Sequence, residues 1–305
     1  MANGNRSQKT PRVAALTCTG GREHAFHLCK GFIARQTQKP DDWVVVDDCI
    51  PKQKVGDGPL KVYPTPSWHL EMGHTLPRNM IAGLKAIKDL KVDIVTIFED
   101  DDWYSPVYLE RMSRALMSRY HDGVRVVGEM NTVFYNVQTR TWKQNWHPCH
   151  ASLCSVSLHV DVIDEIISII EYNMTPNIDH RIFETIEPKK VHLEKSNLVL
   201  GIKGLPDTRA GASPVHLDIA GRFVRDDSDL HALQAFIGDD AELYKWYYNG
   251  KEPPRGITEL KVRKPSNEPL PRDRVKEEIK KEPRYTTESQ RRYARMRKEI
   301  KEGRS

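Results

Sequence analysis

Asp93-Ile94-Val95-Thr96-Ile97-Phe98-Glu99-Asp100-Asp101-Asp102-Trp103-Tyr104-Ser105-Pro106 is the stretch on which the fold turns. Residues 93–98 read as a strand whose run from Ile94 to Phe98 is continuously β-branched and aromatic, the pattern of a strand buried on both faces. The run stops at four consecutive acids. Pro106 follows, in the position of a residue that opens a helix. Four neighbouring carboxylates repel one another, and just after a buried strand that repulsion is costly unless a cation compensates it. Their hard oxygen atoms suit Mg²⁺ or Mn²⁺, ions that in turn hold phosphate oxygens. A solvated acidic face is the competing reading of any such run; the placement after a buried strand favours the cation.

The same pattern recurs upstream. Residues 13–17 form a short apolar run before the Gly20-Gly21 turn, and residues 43–46 form a second that ends at Asp47-Asp48. Apolar residues at helical spacing mark residues 24–36, 76–90 and 106–120 as helices, and residues 160–172 and 178–186 as two more. Residues 124–127 and 132–137 read as strands, the second leading into the aromatic segment 142–150, and residues 191–193 and 198–202 read as late strands. A Pro- and Gly-rich loop spans residues 51–66. Strands alternating with helices imply an α/β sheet. In open sheets of this kind ligands bind beyond the carboxyl ends of the strands, where this sequence puts its acids.

Composition narrows the class. The chain has 305 residues, 38% of them hydrophobic and 29% charged, as in a soluble globular protein. No apolar run approaches the roughly 20 residues that span a bilayer. Residues 1–11 are polar, lack a signal core and read as a flexible leader. Cys18, Cys29, Cys49, Cys149 and Cys154 are odd in number and irregularly spaced, which argues for a reducing compartment and a cytoplasmic protein. His147, Cys149, His150 and Cys154 lie close in sequence and can bind zinc, although the paired short spacings of zinc modules are missing; ordinary loop and core roles compete.

The formal net charge of +5 is unevenly spread. Residues 251–305 hold 18 Lys+Arg against 10 Asp+Glu, and the remaining residues hold 29 against 32. A main domain over residues 12–250 is therefore slightly acidic, and the tail after it is basic. Pro253, Pro254, Pro265, Pro269 and Pro271 punctuate that tail, and Thr287 and Gln290 have the spacing of a capping box before a helix with a thin stripe of Tyr293, Met296 and Ile300. Such a tail can meet nucleic acid, an anionic membrane surface or an acidic partner, or simply remain solvated.

Residues 93–106 resemble the acidic metal-binding motif of glycosyltransferase family 2. Val44-Val45-Val46-Asp47-Asp48 resembles that family's second strand with its nucleotide-binding acid, and His74-Thr75-Leu76-Pro77-Arg78-Asn79-Met80-Ile81-Ala82-Gly83-Leu84 resembles its Arg-Asn helix start. The three occur in the family's order and spacing, and the resemblance covers roughly residues 12–220. It implies a GT-A-like nucleotide-binding α/β sandwich with a mixed, mainly parallel central sheet flanked by helices. It also implies a nucleotide-sugar donor, expected to be a UDP-sugar, with Mn²⁺ or Mg²⁺.

By that resemblance Asp47 or Asp48 contacts the base or ribose, Asp100 lies near the ribose, and Arg22 and Arg78 help bind the nucleotide or its phosphates. Asp101 is the expected principal metal ligand, with Glu99 and Asp102 as alternatives; Glu99 stands where the family often has Asp. Asn177-Ile178-Asp179-His180-Arg181-Ile182-Phe183 resembles the segment that carries the family's catalytic base, here Asp179, with Ile178 where Glu is usual. Asp179 can instead cap a helix, and Glu184 is the fallback base. Lys203, between Gly201 and Gly204, neutralises diphosphate charge, and His216 completes the metal site, as a late histidine does in some GT-A enzymes. Trp142 and Trp146 line an acceptor pocket or pack in the core.

The expected reaction is an inverting transfer to an acceptor hydroxyl. The basic tail motivates one acceptor, a hydroxymethylated pyrimidine in DNA, as modified by viral glycosyltransferases. The rival is a cell-surface saccharide or lipid-linked acceptor, with the tail in peripheral contact with a membrane. A non-enzymatic nucleic-acid-binding protein accounts for the tail but not for acids at strand ends. A nucleotidyltransferase uses similar acids but releases pyrophosphate.

Overall fold

The computed structural model describes residues 10–64, 75–175, 177–206 and 225–250. At its centre β1 (Val13–Thr19) runs parallel to β4 (Ile94–Ile97), with Leu16 opposite Ile97. On the other side of β1 lie β2 (Asp42–Asp47) and then β3 (Leu60–Val62), both parallel to it. Beyond β4 come β9 (Val156–His159), β6 (Val126–Glu129) and β10 (Val191–Glu194). Only β9 runs against the others in this seven-stranded sheet. The mixed, mainly parallel sheet flanked by helices that the sequence implied is present.

The sheet is buried on both faces, which is why its strands read as continuous apolar runs rather than alternating ones. Val13, Ala15 and Ile94 face α1 (Glu23–Ala34) and α3 (Tyr108–Ser118). Ala14, Leu16, Val44, Val46 and Val95 face α2 (Leu76–Lys88), α4 (Ile163–Asn173) and α5 (Ile178–Thr185). The local sequence suits these helices. Glu23 sits in the first turn of α1, Pro77 in the first turn of α2, and Lys85 and Lys88 in its last, each matching the polarity or geometry of that helix end.

Gly83 lets α2 approach the sheet closely. A β-carbon there would stand 2.4 Å from Leu16 Cδ1 and 3.0 Å from Val46 Cγ2, two side chains with no room to swing because both are fully buried. Gly83→Val is therefore expected to destabilise the protein by about 1–3 kcal/mol through overpacking, despite the better helix propensity of Val over Gly. Thermal melting checks this; a melting point at or above wild type contradicts the tight helix–sheet contact.

The strands expected at 132–137 and 198–202 do not join the main sheet. As β7 (Asn131–Asn136) and β11 (Val199–Lys203) they pair with each other in a second, five-stranded sheet with β5 (Trp103–Tyr104), β8 (Thr141–Trp146) and β12 (Arg225–Asp226). This sheet covers the α1/α3 side of the core, with α6 (His231–Ile237) packed alongside. The strand expected at 124–127 lies two residues later, as β6. The helix expected at 160–172 opens with a 3₁₀ turn, Val160–Val162. β9 escaped the sequence reading because Ser155, Ser157 and His159 interrupt its apolar residues. Inside the sheet, Ser157 is satisfied by a 2.8 Å hydrogen bond with Thr96. Among the described residues no helix is long and apolar enough to cross a membrane. The leader to residue 9, and the tail from residue 251, lie outside the described residues.

Candidate active site

Because β1, β2 and β4 are parallel neighbours, their carboxyl ends open at the same edge of the sheet. Three segments meet there: Thr19 to Arg22 after β1, Asp47-Asp48 at the end of β2, and the acids 99–102 after β4. Gly20 makes the approach possible: a β-carbon at this position would come within 2.4 Å of Asp48 Oδ1.

The two acids after β2 do different work. Asp47 bends its own loop, accepting the backbone N–H of Cys49 at 3.1 Å and of Gln53 at 2.8 Å. Asp48 accepts Arg78 Nη2 at 3.0 Å and Asn79 Nδ2 at 2.9 Å, so the start of α2 is clamped to the strand end. Gln53 then donates to Thr19 Oγ1, and Thr19 donates to Asp100 Oδ2, each at 2.6 Å. This relay ties the β2 loop to the acidic run. Thr19 and Gln53 carry no charge and no motif strong enough to have singled them out in the sequence, whereas Asn79 belongs to the Arg-Asn helix start.

The acidic run is folded inward. Asp100, Asp101 and Asp102 are only 1%, 8% and 2% exposed, and Glu99 is half-buried. Two basic side chains compensate part of this charge. Arg22 reaches Asp100 at 2.9 Å and Asp101 at 3.5 Å, and Lys203, on β11, stands 3.7 Å from Asp102. Asp102 Oδ1 also accepts the backbone N–H of Ile202 at 2.9 Å, so the second sheet fixes the orientation of this acid. Four acids against two bases leave an excess of negative charge. Oδ2 of Asp102 is buried without a hydrogen-bond partner. Glu99, Asp102 and Cys154 each place one ligand atom within 4.8 Å of the others. These residues fit a divalent cation: the donor set is convergent, and one buried carboxylate oxygen lacks the partner such a group ordinarily has.

The electrostatics point the same way. Burial, with the neighbouring acids adding to it, pushes Asp100 up to about 7 and Asp102 up to about 6. Burial also raises Glu99 well above the carboxylate range, with Asp102 and Asp101 reinforcing it. Burial opposes the charges on Arg22 and Lys203, but the carboxylates outweigh it and both are held protonated. The folded form thus binds protons at Asp100 and Asp102 more tightly than the unfolded chain, whose Asp value is 3.8. Metal-free stability must then fall as pH rises from about 4 to about 7. Mn²⁺ is expected to counter this, raising the melting temperature more at pH 8 than at pH 5, where protons compete for its ligands. Melting curves across pH with and without Mn²⁺ test this; an equal shift at both pH values contradicts it.

Asp179 lies in the first turn of α5, after the N-cap residue Asn177. Its Oδ1 accepts the N–H of His180 at 2.8 Å, and burial raises its pKa. Its charge is felt by Glu99, so α5 brings it within electrostatic reach of the acidic run. Glu184, one turn further on, is engaged by His180 and Arg181, both at 2.9 Å. The suggested grouping of His147, Cys149, His150 and Cys154 divides. The rings of His147 and His150 meet at a tilt with centroids 4.0 Å apart, and His180 lies edge-on to His150 at 5.3 Å, whereas the Cys154 thiol lies with Glu99 and Asp102. Burial, with mutual repulsion behind it, lowers His147 to about 4 and His150 to about 3, so both are neutral at pH 7. Trp142 is a core residue, edge-on to Phe236 at 5.1 Å. Trp146 is half-buried and donates to Met130 Sδ at 3.3 Å. His216 lies outside the described residues. No disulfide links the cysteines.

No known family profile matches the chain, and no curated protein matches it. Among solved structures it is similar to the crystal structure of S. aureus TarS 1–349, a staphylococcal glycosyltransferase. The likeness has 12% sequence identity and a TM-score of 0.42, and covers 63% of this chain and 60% of that one. It spans less than two thirds of either protein, and what the site can do follows from its own residues.

Proposed function

We propose that this chain transfers a glycosyl group from a nucleoside-diphosphate sugar to an acceptor hydroxyl, with a divalent cation at the acids 99–102. One observation carries the reading. A buried run of acids, only half compensated by Arg22 and Lys203, stands at the carboxyl ends of parallel strands with a further carboxylate, Asp179, within electrostatic reach. Non-enzymatic binding of nucleic acid gives no reason to concentrate buried acids at that edge, where phosphates would be repelled.

Each residue has work to do in such a transfer. Asp48, held by Arg78 and Asn79, offers its remaining acceptor capacity to the donor's base or ribose. Arg22 and Lys203 already face the acidic run and can turn part of their charge to a diphosphate. Asp101, the expected principal ligand, with Glu99 and Asp102 would hold the cation, which would supply Lewis-acid stabilisation of charge on the leaving diphosphate. Asp179 takes the proton of the acceptor hydroxyl as that oxygen attacks the anomeric carbon, giving inversion. Its raised pKa improves it as a base near neutral pH. The donor is expected to be a UDP-sugar.

Calorimetric titration with nucleoside diphosphates tests the donor side. Binding is expected with Mn²⁺ or Mg²⁺ present, weakened at least ~10-fold in Arg78→Ala by loss of a charge-assisted contact worth about 1.5–3 kcal/mol. Equal affinity with and without the ion contradicts the reading. For the acceptor, the +8 balance of residues 251–305 supports DNA bearing hydroxymethylated pyrimidines. Sugar transfer to such DNA, lost on deleting those residues, supports it. Transfer only to saccharides or lipid-linked acceptors favours the rival and turns attention to membrane surfaces.

A further inference from the structure

We infer that the cation seat of this chain is a mixed sulfur–oxygen site, in which the Cys154 thiolate joins Glu99 and Asp102 and makes the seat selective for thiophilic ions such as Zn²⁺ over Mg²⁺. Cys154 lies in the 3₁₀ turn Leu153–Ser155 just before β9, the one antiparallel strand of the main sheet. That strand threads beside β4, whose end carries the acids, so the fold itself delivers a thiol to them. The sulfur and one oxygen each of Glu99 and Asp102 lie within 4.8 Å of one another, a separation that small side-chain rotations close to a shared ion.

A second observation concerns the Asp102 carboxylate, which the Cys154 thiol faces directly. Asp102 is 2% exposed, and its Oδ1 is taken by the Ile202 amide while its Oδ2 accepts no hydrogen bond of ordinary geometry. A buried carboxylate oxygen in that state costs free energy, and the thiol of Cys154 is the side chain of this set that engages the carboxylate. Lys203 at 3.7 Å supplies charge to Asp102 through Oδ1. Arg22 is committed to Asp100 and Asp101. Glu99 is half-buried and gives the seat its opening towards solvent.

The coordination chemistry follows from the donors. Thiolate is a soft ligand that Zn²⁺ and Cd²⁺ accept and Mg²⁺ does not, whereas carboxylates serve all three. On binding, Cys154 gives up its S–H proton to solvent and forms one sulfur–metal bond, so one proton is released per ion from this residue. Cys149, five residues earlier, is outside this donor set. The inference rests on the cation reading proposed above, and the test separates the two.

The experiment titrates Cd²⁺ into the full, reduced chain and follows the ultraviolet thiolate-to-metal charge-transfer band. One equivalent is expected to develop the band, and a large excess of Mg²⁺ is expected not to bleach it. Cys154→Ser, with its folding verified by thermal melting, should lose the band; Cys149→Ser should keep it; Glu99→Gln should need more Cd²⁺ to reach it. Should Cys154→Ser fail to fold, Cys154→Ala with the same readout takes its place, and proton release on Cd²⁺ addition to wild type reads the thiol independently. A band that survives in the Cys154 variants, or is absent from wild type, overturns the sulfur ligand. If Mn²⁺ still raises the melting temperature in that case, the cation reading stands without Cys154. If no divalent ion binds wild type, both fall.

Discussion

Asp102→Asn is expected to lower turnover by ~10²–10³-fold while leaving the protein folded. The side chain keeps its shape, and its carbonyl oxygen can still accept the Ile202 amide that Asp102 accepts at 2.9 Å. What disappears is a negative charge in the acidic run, and with it the cation whose Lewis-acid contribution is several kcal/mol at the transition state. The same change removes like-charge repulsion. Asp102 has a raised pKa because burial and neighbouring acids disfavour its ionised form, so a neutral isostere should be at least as stable as wild type at pH 8 without metal. The variant thus separates function from stability. It should melt no lower than wild type when metal-free, gain nothing from Mn²⁺, and turn over poorly. A variant that retains both Mn²⁺ stabilisation and activity removes Asp102 from the cation seat.

Asp179→Asn carries the second large effect. Loss of a general base costs ~10²–10⁴-fold in kcat, with the donor KM little changed because the donor is held by other residues. The pH profile gives a sharper readout. Only the ionised form of Asp179 can take a proton, and burial raises its pKa. Wild-type kcat should therefore climb with pH through a value above the usual Asp range, and that acid limb should vanish in Asp179→Asn. Glu184 is the comparison. It is held by His180 and Arg181, and a loss of this size in Glu184→Gln, with Asp179→Asn near wild type, would move the base one turn along α5.

Much of the fold was legible because the main sheet is buried on both sides. Continuous apolar runs at residues 13–17, 43–46 and 94–98 have few readings other than central strands, and each stands in the sheet as β1, β2 and β4. The acids beyond them were equally plain, since four charges after such a run are rare without purpose. What stayed hidden depends on tertiary partners. β9 carries Ser157, which is polar in sequence and satisfied only by Thr96 across the sheet. The second sheet pairs β7 with β11, some 65 residues apart, and no local pattern announces that register. Cys154 reads as one member of a loose His/Cys cluster with His147, Cys149 and His150 until β9 is laid beside β4. The relay from Gln53 through Thr19 to Asp100 is built of short-range contacts between loops distant in sequence. Arg22 was flagged, but its two partners in the acidic run were not readable from spacing.

The claim on which everything else depends is that a nucleotide sugar is consumed at the acids 99–102. The most direct measurement is nucleoside-diphosphate release from a panel of nucleotide sugars, by the full chain, with Mn²⁺ or Mg²⁺ and with chelator, for wild type and Asp102→Asn side by side. The account predicts release from at least one donor, UDP-sugars first among them, dependent on the ion and lost in Asp102→Asn. Release that ignores both the chelator and the substitution, or no turnover and no binding of any nucleotide sugar, would contradict it.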